Sequence, residues 1–92
     1  MGRAVRRAAK VDANQARIVA ALRQTGVEVM SLAAVGNGCP DLICCRGGNL
    51  TMLEIKHEKR GRLTPHQKSF HQRWPVAVVT NELEALRAVG VI

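Results

Sequence analysis

Two carboxylates and a lysine stand in the middle of the chain, in the stretch GCPDLICCRGGNLTMLEIKHEKRG. They are Asp41, Glu54 and Lys56, and the lysine follows the second acid by two residues. Hard divalent cations such as Mg²⁺ take oxygen ligands and keep several waters, so two carboxylates and one backbone carbonyl suffice as protein ligands. A cation held in this way lowers the pKa of bound water and clamps phosphate oxygens, which is what hydrolysis of a phosphodiester requires.

A predicted hairpin positions these three residues. DLICC is a short apolar run typical of a central strand, RGGN is typical of a hairpin turn, and LTMLEIKH alternates like a strand. The turn folds the strand ends back together, so Asp41 and Glu54 can converge on one ion. Because strand side chains alternate, Glu54 and Lys56 share a face, and the carbonyl of Ile55 between them is a candidate third ligand. Lys56 can then orient or activate the attacking water and offset charge at the phosphate.

The same three residues also have ordinary structural explanations. Asp41 follows Pro40 and can be a turn residue, and Glu54 with Lys56 can be an exposed ion pair on a strand. Spacing alone does not choose between these interpretations and the metal site.

The rest of the chain predicts the elements around the hairpin. DANQARIVAALRQTG indicates a helix with Ile18, Val19 and Leu22 on one face and a stop at Gly26, and VEVMSLAAV indicates a strand. In LTPHQKSFHQRW, Thr64 caps a helix, Pro65 takes its first position and Gln67 stands where a capping-box partner belongs.

The last third of the chain predicts one more strand and one more helix. VAVVT indicates a buried strand, and Asn81 caps a final helix whose Leu83, Leu86 and Val89 are predicted to pack inward. The predicted order is α-β-β-β-α-β-α. His66 and His71, on the helix after Pro65, are predicted to be surface residues without a catalytic role, and contact with phosphate is the alternative for each.

The composition bounds the class of protein. The chain has 92 residues, which fits one domain over 1–92, with residues 1–11 as a basic N-terminal arm. A net charge of +7 and an isoelectric point near 10.4 favour a polyanionic partner. No apolar run approaches the ~20 residues that span a bilayer, and there is no signal-peptide pattern, so we expect an intracellular, cytoplasmic protein. The residues predicted to contact nucleic acid are Lys59, Arg60, Arg62 and Lys68.

The order of these motifs resembles the PD-(D/E)xK nuclease superfamily, here as Pro40-Asp41 followed by Glu54-Ile55-Lys56. GNGCPDLIC, LEIK and LTPHQ are similar to the G-x-PD, E-x-K and downstream Gln elements of its VRR-Nuc branch, over roughly residues 12–80. The resemblance implies an α/β fold of the restriction-endonuclease type, with an αβββαβ core and a mixed sheet flanked by helices. It also implies an endonuclease that depends on Mg²⁺ or Mn²⁺ and needs no organic cofactor. Small stand-alone members, of phage or bacterial type, resemble Holliday-junction resolvases and are expected to act as homodimers on branched DNA.

Two further site residues follow from this resemblance. The family's helix after E-x-K contributes a Gln near the scissile phosphate or its water, and Gln67 matches it; a purely structural role as the capping partner of Thr64 is the alternative. An acidic residue of the family's first helix often completes the metal site, and Asp12 is the nearest match, with a helix N-cap as its alternative. The family acid is more usually Glu, which leaves the further ligand open.

Two classes of function follow from the sequence. The first is a metal-dependent, structure-selective DNA endonuclease. The second is a non-catalytic nucleic-acid-binding module with the same fold, whose binding depends on salt and is indifferent to divalent ions. The same chemistry on RNA, or in sequence-specific restriction, is a third interpretation; the chain has little length for a target-recognition domain.

Overall fold

The elements of the computed structural model follow the predicted order. The structure describes residues 13–57 and 61–92. Within them lie α1 (Ala13–Gln24), β1 (Glu28–Ser31), β2 (Leu42–Arg46), β3 (Asn49–Ile55), α2 (Pro65–Arg73), β4 (Val76–Val79) and α3 (Glu82–Ala88). The predicted arm over residues 1–11 lies outside the described residues. The first strand is shorter than VEVMSLAAV suggested, because the chain turns at Ala33–Val35.

The four strands form one mixed sheet in the order β1-β2-β3-β4. β2 pairs antiparallel with both β1 and β3, while β4 runs parallel to β3. A tight turn at Gly47 and Gly48 joins β2 to β3, and both glycines have positive φ angles (56° and 84°) that a hairpin of this length requires. The α/β fold with a mixed sheet and flanking helices, predicted from the sequence, is confirmed.

One face of the sheet carries the core. Ile18 and Leu22 of α1 and Ala85 of α3 are fully buried against it. The strand residues beneath them are equally apolar, and they alternate with the residues of the other face because strand side chains have a period of two. The buried strand members of this core are Leu42, Cys44, Leu53, Ile55 and Val79.

The opposite face of the sheet is open over much of its area, and two expectations of burial fail, one on this face and one on α3. VAVVT is not a wholly buried strand, because β4 is an edge strand and its Val78 is 45% exposed on the open face. Leu83 is 53% exposed instead of packed inward, because α3 turns Ala85 and Val89 toward the core. No helix in the described ranges is long and apolar enough to cross a membrane.

Candidate active site

Asp41 and Glu54 are neighbours across two strands. The β2–β3 ladder pairs Leu42 with Leu53, so the next pair in the same register joins Asp41 to Glu54. Directly opposite side chains in an antiparallel pair have Cβ atoms about 5 Å apart. The Oδ2 atom of Asp41 also accepts a hydrogen bond of 2.7 Å from the backbone N–H of Ile55, which ties the first acid to the end of β3. The hairpin therefore brings the two predicted carboxylates together.

Glu54 is the one charged side chain in the core of the described structure. Its residue is only 2% exposed, and its Oε1 atom is buried without a hydrogen-bond partner among the described residues. Burial, and next the charge of Asp41, raise the pKa of this carboxyl from 4.5 to about 7, although Lys56 acts in the opposite direction. An ionised carboxylate here is thus short of positive charge, even with a lysine beside it.

Lys56 and Gln67 form a bridge beside that carboxylate. The Nζ atom of Lys56 lies 3.5 Å from Oε2 of Glu54, and it donates a hydrogen bond of 2.9 Å to Oε1 of Gln67. The Nε2 atom of Gln67 donates to the same Glu54 oxygen at 3.0 Å. The amide thus orients both charged side chains, and the ammonium is held at the site with 17% of its side chain exposed.

The helix cap fixes Gln67 in this position. Thr64 Oγ1 accepts from the Gln67 backbone N–H at 3.2 Å, and Gln67 Oε1 accepts from the Thr64 backbone N–H at 2.9 Å. The capping box and the contacts with Glu54 and Lys56 use the same side chain. The capping role of Gln67 is confirmed, and the same amide also contacts Glu54 and Lys56. Its role near the scissile phosphate or the attacking water stays a prediction.

Two glycines allow this close packing, and sequence reasoning missed both roles. Gly38 has a φ of 81°, and a Cβ there would overlap the His66 carbonyl oxygen at the start of α2. Gly61 lies against Lys56, and a Cβ there would overlap the Cβ of that lysine. The position of Gly38 in the loop before Pro40 hints at a special backbone conformation. Only the packing shows that the start of α2 approaches it.

Three other side chains adjoin the site without having been predicted there. Asn14 of α1 donates from Nδ2 to the Lys56 carbonyl at 3.4 Å. Cys39 lies close enough to both acids that burial, then Glu54 and Asp41, raise the pKa of its thiol. His71 is half-buried, not a surface residue as predicted; burial and Lys56 lower the pKa of its imidazole. The sequence could have indicated that His71 lies near the site, because it follows Gln67 by four residues and so shares its helix face.

The remaining predicted residues lie at the border of the site or outside the described ranges. Arg62 and Lys68 are exposed and flank the Thr64–Gln67 cap in sequence. Asp12, Lys59 and Arg60 lie outside the described residues, so the structure gives no position for the proposed further ligand or for half of the basic cluster.

The donor atoms fit a hard divalent cation. Across residues 13–57 and 61–92, no group of three or more His, Cys, Asp or Glu side chains could hold a metal. Two neighbouring carboxylates are present, however, and one of their oxygens is buried and unpartnered. Mg²⁺ is commonly held by one or two carboxylates and completes its shell with water, so this pair is an adequate donor set.

Comparison with known proteins gives one family. A model described as archaeal Holliday junction resolvase (Hjc) matches residues 6–69. The matched range contains all of the hairpin, Lys56 and the beginning of α2 with Gln67. Neither curated proteins nor solved structures gave a match.

Proposed function

The chain belongs to the archaeal Holliday junction resolvase family, and on that premise we propose a divalent-metal-dependent endonuclease that cuts the phosphodiester backbone of four-way DNA junctions as a homodimer. The family is of the PD-(D/E)xK type of nuclease, in agreement with Pro40-Asp41 and Glu54-Ile55-Lys56. The finer likeness to the VRR-Nuc branch, of phage or bacterial type, stays a prediction.

One observation carries the metal dependence in this proposal. Asp41 and Glu54 are register neighbours, and burial with Asp41 beside it raises the Glu54 pKa to about 7. A simple ion pair between Glu54 and Lys56 would need neither the burial of Glu54 nor a second carboxylate beside it. In such a pair the lysine would lower the pKa of the glutamate. The buried oxygen without a partner is an acceptor that a cation satisfies.

Asp41, Glu54 and the carbonyl of Ile55 are the residues proposed to hold Mg²⁺ or Mn²⁺. When bound, such an ion supplies a water of lowered pKa and neutralises charge on phosphate oxygens. Asp12 stays a proposed further ligand.

Lys56 and Gln67 are proposed to act on the phosphate and its attacking water. Lys56 keeps its ammonium beside Glu54 through two contacts, so its positive charge is in place before substrate arrives. A preorganised charge stabilises a transition state at little reorganisation cost. Gln67 holds both partners in this geometry, and Lys59, Arg60, Arg62 and Lys68 are proposed to bind the flanking phosphates.

The test is a cleavage assay on a labelled four-way junction, a flap, a linear duplex and an RNA duplex, each with Mg²⁺, Mn²⁺ or EDTA. We expect cleavage of the junction only with a divalent ion. Lys56→Ala should lower the rate by roughly 100-fold or more, the range seen when one charge-stabilising group leaves an active site.

Arg87→Ala is the matched control, because it removes one positive charge from the exposed last turn of α3. It should cleave like the wild type. If the wild type and Lys56→Ala gave the same background level of cleavage on every substrate, the proposal of an enzyme would be wrong.

The non-catalytic module is retained as a second candidate because the described residues offer two carboxylates but no group of three or more His, Cys, Asp or Glu side chains that could hold a metal. It predicts junction binding that falls with salt and is unchanged by EDTA or by Asp41→Ala. A gel-shift titration with these two comparisons separates it from the nuclease.

A further inference from the structure

Two buried side-chain polar atoms have no hydrogen-bond partner among the described residues: Oε1 of Glu54 and Nε2 of His71. Such an atom destabilises a fold, because it loses its hydrogen bonds to water and gains none in the protein. The cation of the proposed function explains the Glu54 oxygen. It does not explain the His71 nitrogen, and an apolar ring such as that of phenylalanine would fill the same position without burying a polar atom.

Helix α2 places His71 beside the active site. His71 follows Gln67 by four residues, so the two side chains share one face of α2. From this face Gln67 contacts both Lys56 and Glu54. Burial, and next the charge of Lys56, lower the pKa of the His71 imidazole, so the ammonium acts on the ring. The helix face and the electrostatic interaction therefore both indicate that His71 is a neighbour of Lys56.

The imidazole of His71 is neutral near neutral pH, because its pKa is lowered from 6.5. A neutral imidazole keeps one nitrogen that accepts a hydrogen bond. An imidazolium would instead place a second positive charge next to Lys56 and repel its ammonium. His71 can therefore act as an acceptor for the ammonium without changing the net charge of the site.

The ammonium of Lys56 needs an acceptor other than Glu54. It has three N–H groups, of which one donates to Gln67 Oε1 at 2.9 Å and a second faces Glu54 Oε2 at the longer distance of 3.5 Å. Glu54 is also a proposed metal ligand, so its attraction for the ammonium weakens when its charge is neutralised. Gln67 alone would then hold the ammonium, and one hydrogen bond leaves such a group free to rotate.

We propose that His71 is a positioning residue for Lys56, and that its Nε2 atom accepts a hydrogen bond from the ammonium through one ordered water. The link needs a water because Nε2 has no partner within hydrogen-bond distance in the described ranges. Gln67 and His71 then fix two N–H groups of Lys56 and leave the third for the phosphate. The inference rests on the proposed function, since it assigns His71 a role in the same reaction.

The first test compares single-turnover cleavage of a four-way junction with binding of the same junction in EDTA. His71→Phe should slow cleavage by roughly 10-fold, the low end of the range for groups that orient an active-site side chain, and should leave binding unchanged. His71→Gln should restore most of the rate, because its amide oxygen supplies an acceptor in place of Nε2. Gln72→Phe is the matched control: Gln72 is exposed on the same helix, and this variant should cleave like the wild type.

The second test needs no nuclease activity. The imidazole of His71 is titrated by NMR in the metal-free wild type and in Lys56→Met, which keeps a side chain of similar length but removes the charge. We expect a pKa below 6.5 in the wild type and a higher pKa in Lys56→Met. Far-ultraviolet circular dichroism checks that each variant folds. Should His71→Phe unfold, this titration still decides whether the ring and the ammonium interact.

An active wild type whose cleavage rate His71→Phe matches overturns the inference. A loss that His71→Gln fails to reduce also overturns it, because that loss would come from packing of the ring. So does a His71 pKa that is the same in the wild type and in Lys56→Met. A wild type that cuts no junction removes the proposed nuclease instead, and the titration then shows by itself whether His71 and Lys56 are linked, so the two failures are distinguishable.

Discussion

The two faces of the sheet both carry apolar side chains, but they differ in how far they are buried. One face is covered by α1 and α3, and its Leu42, Leu53 and Val79 are almost fully buried. The other keeps Leu50 and Val78 exposed and carries the acid pair at one end. The covered face supplies the burial that stabilises the domain, whereas the open face holds the groups with chemical or binding potential.

Strand alternation lets these two requirements coexist in one short hairpin. Leu53 and Glu54 are adjacent in sequence, and both are buried, but their side chains point to opposite faces. A substitution on β3 should therefore affect stability where the side chain faces the core, and the proposed chemistry where it faces the open side of the sheet.

Substitutions of this adjacent pair should have the largest effects, one on stability and the other on cleavage. Leu53→Ala should cost about 2–5 kcal/mol in the free energy of unfolding, a large part of what a small domain has, because it leaves a core cavity. Glu54→Gln should leave the fold intact and lower junction cleavage by roughly 100-fold or more. Urea unfolding and the cleavage assay measure the two effects. Similar losses of stability in both variants would show that the faces are not separable in this way.

A second pair of substitutions tests the packing of α2 at the site end of the open face. Gly38→Ala adds a Cβ at a positive φ and against the His66 carbonyl, so we expect a loss of roughly 1–3 kcal/mol and weaker cleavage through a displaced Gln67. Gly36→Ala is the control, because Gly36 also has a positive φ (74°) but nothing within 4 Å of an added Cβ. Thermal melts should show the smaller loss for Gly36→Ala. Equal losses would assign the whole effect to backbone strain.

The ionisation of Glu54 gives a pH test of the open face. Its pKa is raised from 4.5 to about 7 in the fold, so the folded chain binds this proton more tightly than the unfolded chain. The resulting stabilisation is complete below about pH 4.5 and is lost as the pH rises through about 7. Metal-free protein should thus melt at a lower temperature at about pH 8 than at about pH 5, and Glu54→Gln should flatten this difference. A wild-type curve that matches the Gln variant at both values would refute the shift.

The smallest expected effect concerns the surface above the covered face. Arg17 Nε lies 3.6 Å from Glu82 Oε2, and both side chains are well exposed at 59% and 41%. Such a pair contributes about 0–1 kcal/mol, so Arg17→Ala should barely change the urea midpoint. A double-mutant cycle with Glu82→Ala isolates the pair. A coupling well above 1 kcal/mol would mean that α1 and α3 are joined by more than apolar packing.

Much of this architecture follows from short-range patterns in the sequence. Thr64, Pro65 and Gln67 form the predicted cap, Asn81 caps α3 by accepting from the Glu84 N–H, and Gly26 ends α1 at a φ of 85°. The glycine turn at residues 46–49 indicated the hairpin, and the hairpin predicted that Asp41 and Glu54 converge. Caps, turns and strand alternation depend on residues only a few positions apart, which is why they can be read from a single chain.

The order of the elements, the cap of α2 and the pairing of the two acids could be predicted from the residues alone. The tertiary structure alone decided that Gln67 serves both the cap and the site, that Gly38 must lack a side chain, and that Leu50 and Val78 stay exposed. Apolarity shows that a residue favours burial, but which face a helix covers depends on contacts between elements distant in sequence. In this chain α1 and α3 both lie on one side of the sheet, and apolar side chains on the other side stay exposed.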